Sequence, residues 1–187
     1  MLHPPRRKVT FLLLAFLLSS SVIPSALAMG SGNAYLDAQT GLTFSLYKPV
    51  NTVGLAQSKF QLLVCGGGGE QWVYTRFGKD KKLVEIMQTM SGAHCSDPGL
   101  SVKLAGIKVN GIKAEVHVYC DPINASAAKK CSTTDVAKVG GYLMFTLPGY
   151  YGMKSTNMQV QGVGGVTYAQ LVAVARSMTP ASTKASG

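Results

Sequence analysis

The stretch 101–120, SVKLAGIKVNGIKAEVHVYC, decides the fold. Asn110-Gly111 stands between two β-rich runs, and Asn-Gly is the favoured filling of a two-residue type I′ hairpin turn because both central residues need positive φ. Pairing Val109 with Ile112 sets the register, with Ile107 opposite Ala114, Ala105 opposite Val116, Lys103 opposite Val118 and Ser101 opposite Cys120. Side chains alternate along a strand. Val109, Ile107, Ala105, Ile112, Ala114, Val116, Val118 and Cys120 therefore form a core face, and Lys108, Lys113, Glu115, His117 and Tyr119 take the other. A lone hairpin is marginal in water, so further strands or a helix must cover the apolar face.

Outward from the hairpin, strand patterns recur on both sides. In 41–50, GLTFSLYKPV, the residues Leu42, Phe44 and Leu46 alternate with Thr43, Ser45 and Tyr47 until Pro49 stops the run. KFQLLVC at 59–65 and QWVYTRF at 71–77 read as strands joined by Gly66 to Gly69, with Trp72, Tyr74 and Arg76 on one face and Val73, Thr75 and Phe77 on the other. The glycine run lacks the lysine and hydroxyl of a phosphate-binding loop and reads as a turn. Residues 142–147 form another strand, and 158–163 a short edge strand. VTYAQLVAVARSM at 166–178 is a helix with a Thr167–Gln170 capping box and a Leu171, Val174, Ala175 stripe, ended by Pro180. Residues 29–40 read as a flexible leader and 180–187 as a disordered tail, leaving 41–179 as a single domain.

In 81–90, Leu83, Ile86, Met87 and Met90 stand at helical spacing, with Asp80 as a possible N-cap. Against this, 78–81 looks like a hairpin turn and LVEIM is acceptable strand sequence, although periodicity alone favours helix.

The first 28 residues place Arg6, Arg7 and Lys8 before the apolar run Phe11 to Leu18 and end in Ala-Leu-Ala, the pattern of a secretory signal peptide cleaved near Ala28. The apolar run is short of the ~20 residues a membrane span needs. Without Arg6, Arg7 and Lys8, 15 of the 18 Lys and Arg remain against 8 Asp and Glu, a formal +7 that suits anionic partners. Cys65, Cys95, Cys120 and Cys131 are even in number in an exported chain and read as two disulfides. Of the three possible pairings, the turn-rich loop between Cys120 and Cys131 favours joining those two, leaving Cys65 with Cys95. His94 beside Cys95 and His117 near Cys120 raise a metal site as the alternative, but strand alternation puts His117 and Cys120 on opposite faces and no Cys-x-x-Cys occurs.

GLTFSLYKPVNTVGL, the loop CSDPG at 95–99 and the ending VTYAQLVAVARSM after GGYLMFTLPG resemble small secreted bacterial domains of unknown function. The ending is also similar to the closing helix of extracytoplasmic domains of the LolA and RseB kind. The resemblance implies an α+β fold, a curved antiparallel sheet of about six to eight strands with the C-terminal helix on one face. It also implies that 81–90 is a strand. Such domains bind lipids or peptides or sense the state of the envelope.

Catalytic signatures are sparse. No serine sits in a G-x-S-x-G, no acidic pair has glycosidase spacing, and neither His94 nor His117 has a carboxylate partner in a recognisable motif. The chain reads as a secreted or periplasmic non-enzymatic domain, without metal or cofactor, that binds an amphipathic or anionic envelope ligand. A lipid, a wall polymer or a peptide fits; nucleic acid does not. A ligand-free structural protein is the second reading and a small hydrolase the third. The expected binding groove lies between sheet and helix, lined by Trp72, Tyr74, Met87 and Tyr142.

Overall fold

In the computed structural model, Asn110 and Gly111 take φ of 50° and 83°, the positive values the turn requires. The structure describes residues 31–65, 69–93, 95 and 97–181. In chain order these form α1 (Ala34–Gln39), β1 (Tyr47–Pro49), β2 (Gln57–Cys65), β3 (Glu70–Lys79), β4 (Lys82–Met90), β5 (Val102–Val109) and β6 (Ile112–Val118). There follow α2 (Ala125–Lys130), a 3-10 turn (Thr133–Asp135), α3 (Val136–Val139), β7 (Gly141–Leu147), β8 (Thr156–Val163), α4 (Tyr168–Arg176) and β9 (Met178–Pro180). Strands β2 to β8 make one antiparallel sheet in the order β2-β3-β4-β8-β7-β6-β5, and β1 pairs with β9 in a separate ribbon. The fold is α+β, with α4 packed on one face of the sheet.

The register of the hairpin is as expected beside the turn, where Val109 faces Ile112 and Ile107 faces Ala114. It then shifts, so that Leu104 rather than Ala105 lies opposite Val116, and His117 rather than Val118 lies opposite Lys103. A bulge at Ala105-Gly106 absorbs one residue and exposes Ala105, which strand alternation had placed in the core. Gly106 permits it, since a Cβ there would lie 3.0 Å from the Ala114 carbonyl oxygen.

One face of the sheet is the core. Val84, Ile86, Leu143, Val116, Val118 and Val160 pack there with Leu171, Val174 and Ala175 of α4. The Thr167–Gln170 capping box starts the helix at Tyr168, two residues inside the expected boundary. Gly162 sits under it, where a Cβ would come within 2.7 Å of Val166 Cγ1. Segment 81–90 is a strand. Val84, Ile86 and Gln88 alternate onto the core face while β3 and β8 pair on either side.

Segment 42–47 departs from expectation. Only its last residue joins a strand, yet Leu42, Phe44, Ser45, Leu46 and Tyr47 are all buried. Side chains and a few separate backbone bonds satisfy its main chain in place of a continuous ladder, the backbone bonds running from the Ser45 amide to the Lys154 carbonyl, from the Lys154 amide to the Thr43 carbonyl and from the Ala181 amide to the Leu46 carbonyl. Gln39 donates from Nε2 to the Phe44 carbonyl at 2.9 Å and accepts from the Leu46 amide at 2.6 Å. Gln88 accepts from the Tyr47 amide at 2.8 Å and donates to its carbonyl at 2.9 Å. Buried peptide groups need partners, and the two glutamines supply four of them.

Other expectations need correction. Residues 34–39, expected in a flexible leader, form α1, capped by Asn33 and held by buried Tyr35, whose ring meets Phe60 edge-on at 4.9 Å. β8, read as an edge, is the central strand. Pro180 pairs with Tyr47 and Ala181 is buried, so the fold runs past the boundary set at 179. Cys65–Cys95 and Cys120–Cys131 are disulfides with Cα separations of 5.3 and 6.1 Å, and the second closes a loop that contains α2. The signal-peptide segment, 66–68, His94 and 182–187 lie outside the described residues. Among the described residues no helix is long and apolar enough to cross a membrane.

Candidate functional site

The face of the sheet turned away from α4 carries Trp72, Tyr74, Met87 and Tyr142, which the register brings onto adjacent rows. Tyr74 faces Met87, which faces Gln159, which faces Met144, which faces Glu115. The neighbouring row runs Lys59, Arg76, Glu85, Gln161, Tyr142, His117, Lys103. The four are thus neighbours, but not between sheet and helix. That interval is filled by Val84, Leu143, Val160 and Val174, all fully buried.

Two polar clusters lie along the second row. In the first, Arg76 Nη2 is 2.9 Å from Glu85 Oε1, the Tyr74 hydroxyl bonds the same carboxylate, and Gln161 Nε2 donates to Glu85 Oε2 at 3.1 Å. Tyr119 donates to Gln161 Oε1 at 2.9 Å and extends the chain. Burial, then the adjacent Glu85 carboxylate, pushes the Tyr74 hydroxyl up to about 12. In the second cluster the His117 ring stacks on Tyr142 at 4.6 Å, with Nδ1 3.2 Å from Ser101 Oγ and Nε2 3.3 Å from Glu115 Oε2. Tyr142 and Ser101 hydroxyls are 2.9 Å apart. Lys103, bonding Glu115 at 2.6 Å, and then His117 hold that carboxyl below its ordinary range. His117 therefore does have a carboxylate partner, two residues away on its own strand face. The cue in the sequence was the alternation Glu-x-His itself.

A cavity lies where β6 leaves β7. Their pairing runs from Val118–Gly141 to Glu115–Met144 and stops, although β6 extends back to Ile112 and β7 on to Leu147. The strands part there and open a cleft of about 850 Å³. Ile107, Ile112, Met144, Phe145 and Met158 give it apolar walls, and Lys103, Lys108 and Lys113 stand along it. Lys108 and Lys113 are directly opposed across the hairpin, and among the described residues neither has an ion-pair partner. Like charges opposite one another destabilise a strand pair. A smaller hollow of about 120 Å³ shares Met144, Asn157 and Met158 with the cleft and includes Met87. Of the four expected ligand-binding residues, Met87 alone borders this region.

Two groups of close ligand-type side chains, Cys65–Glu70–Cys95 and Cys120–Cys131–Asp135, are each built on a disulfide. Sulfur in a disulfide is not a thiolate, so neither fits a metal while oxidised. No family model matches the chain, and no curated protein or solved structure matches it.

Proposed function

We propose that the chain is an exported binding domain, secreted or periplasmic, that holds an amphipathic anion in the cleft between β6 and β7. The observation that carries this is the facing pair Lys108 and Lys113 beside apolar walls. A chain of methylenes suits Ile107, Ile112, Met144 and Phe145, while a carboxylate or phosphate head relieves the lysine repulsion. The volume is that of an ordinary small-molecule site. The formal +7 of the chain without its first 28 residues favours approach of anions, and the two disulfides suit an oxidising compartment. The likeness to lipid- and peptide-binding envelope domains points the same way.

Calorimetric titration with dodecanoate, dodecyl phosphate and the neutral dodecyl maltoside tests this reading. The two anions are expected to bind better than the maltoside, and Met144→Asp to weaken them by at least about tenfold, since one misplaced charge costs more than 1.4 kcal/mol at an apolar wall. Lys108→Gln with Lys113→Gln should remove the preference for anions. Salt should narrow it too, as the screening length falls to ~3 Å at about 1 M. Absence of binding by all three amphiphiles would leave the ligand-free structural role.

A further inference from the structure

Ser101, His117 and Glu115 form a hydrogen-bonded line that the binding reading does not use. His117 lies between the other two, its ring held flat against Tyr142 at an interplanar angle of 7°. Its side chain is 14% exposed, and Ser101 is half-buried, so the line is sheltered without being sealed. The Glu115 carboxylate accepts only, which places the imidazole proton on Nε2 and leaves Nδ1 as an acceptor. Nδ1 faces Ser101 Oγ at 3.2 Å. The serine hydroxyl then donates to Nδ1 and accepts from the Tyr142 hydroxyl at 2.9 Å. Ionised Glu115, kept so by Lys103 and by His117 itself, stabilises the imidazolium that forms when the serine proton is taken. The ring nitrogens stand in reversed roles relative to the commonest serine triads, which leaves the proton transfer chemically equivalent.

We propose that Ser101 is a nucleophile activated by His117 and oriented through Glu115 and Tyr142, acting on carboxylic esters presented along the sheet face turned away from α4. Oγ attacks the acyl carbon as its proton passes to Nδ1. The carbon–oxygen bond to the alcohol breaks, the alcohol leaves with that proton, and an acyl-serine remains. Water then attacks the same carbon, giving up a proton to Nδ1, and the acid departs as Oγ regains it. Ser101 and His117 are the catalytic residues, and Glu115 and Tyr142 position them. Glu115 and Lys103 also line the cleft, so the Glu115 end of the line borders it while Ser101 stands beyond the imidazole ring. The nucleophile itself stands whether or not the cleft binds free amphiphiles.

A serine-directed alkyl fluorophosphonate, followed by peptide mapping of the intact exported protein, provides the test. The expected result is one adduct, on Ser101, absent after Ser101→Ala and slowed at least about 100-fold by His117→Ala, the usual contribution of a general base. His117→Asn serves the same purpose if the alanine variant unfolds. Glu115→Gln should displace the pH profile of labelling while the circular dichroism spectrum is unchanged, a readout that a purely structural network would not move. No adduct on Ser101 in the native protein, or equal labelling in the folded His117 variants, overturns the proposal.

Discussion

Gln88 has no exposed surface, and its amide closes both main-chain hydrogen bonds of Tyr47. Gln88→Ala should therefore cost roughly 2–4 kcal/mol in a urea titration, because two buried peptide groups lose their partners. A loss of a few tenths would mean that water replaces the glutamine. Val116, 1% exposed, contrasts with Glu115, whose side chain is 52% exposed. Val116→Asp should unfold the domain while Glu115→Gln costs under about 1 kcal/mol; comparable losses would contradict the register. Tyrosines set the alkaline limit. Burial pushes the Tyr35 and Tyr74 hydroxyls from 10.0 up to about 12. Below pH 10 both the folded and the unfolded chain keep these protons, whereas between 10 and 12 only the unfolded chain releases them, so stability should fall with rising pH across that window. Denaturant midpoints followed alongside tyrosinate absorbance check this. The roles of Gln39 and Gln88 were not legible beforehand, since Gln39 falls in a stretch read as a leader and Gln88 lies off the stripe of Leu83, Ile86, Met87 and Met90.

The elements that were easiest to read are those with a sharp local cue. Asn110-Gly111 fixes its turn through positive φ, and Thr167 with Gln170 fixes the start of α4 through a reciprocal pair of bonds at 3.2 and 3.1 Å. Thr167→Ala should cost about 1 kcal/mol, read as a lowered melting temperature. Gly162→Ala should cost more, about 1–3 kcal/mol, because its new methyl would meet the stiff Val166 side chain where α4 meets the sheet. The bulge was harder to see. Its trace is the change from Val102, Leu104 to Ile107, Val109, a spacing of three where a plain strand has two, with glycine between. Helix α1 escaped notice because six residues give too little periodicity to register, although Asn33 is an ordinary cap for it. In segment 81–90 the helical spacing is overridden by pairing on both sides, and the strand implied by the resemblance is what forms.

Strand order is a property of the whole chain, and local pattern carries little of it. β8 looked like a weak last strand, yet it sits between β4 and β7 and joins the halves of the sheet. The aromatic and methionine residues chosen from the sequence do share a face, because alternation is local; which face α4 would cover is not. The cleft belongs to this level as well, arising from the early end of the β6–β7 pairing rather than from any motif. Lys108 and Lys113 were visible in the sequence, but only the register shows them opposed and unpaired beside apolar walls. The most direct measurement is amide chemical-shift mapping of the isotopically labelled protein during titration with dodecanoate. The cleft reading predicts shifts gathered at Lys103 to Glu115, Met144 to Thr146 and Asn157 to Met158, with the amides of Trp72 and Tyr74 unmoved. Shifts centred on Trp72 and Tyr74, or none anywhere at saturating dodecanoate, would contradict it.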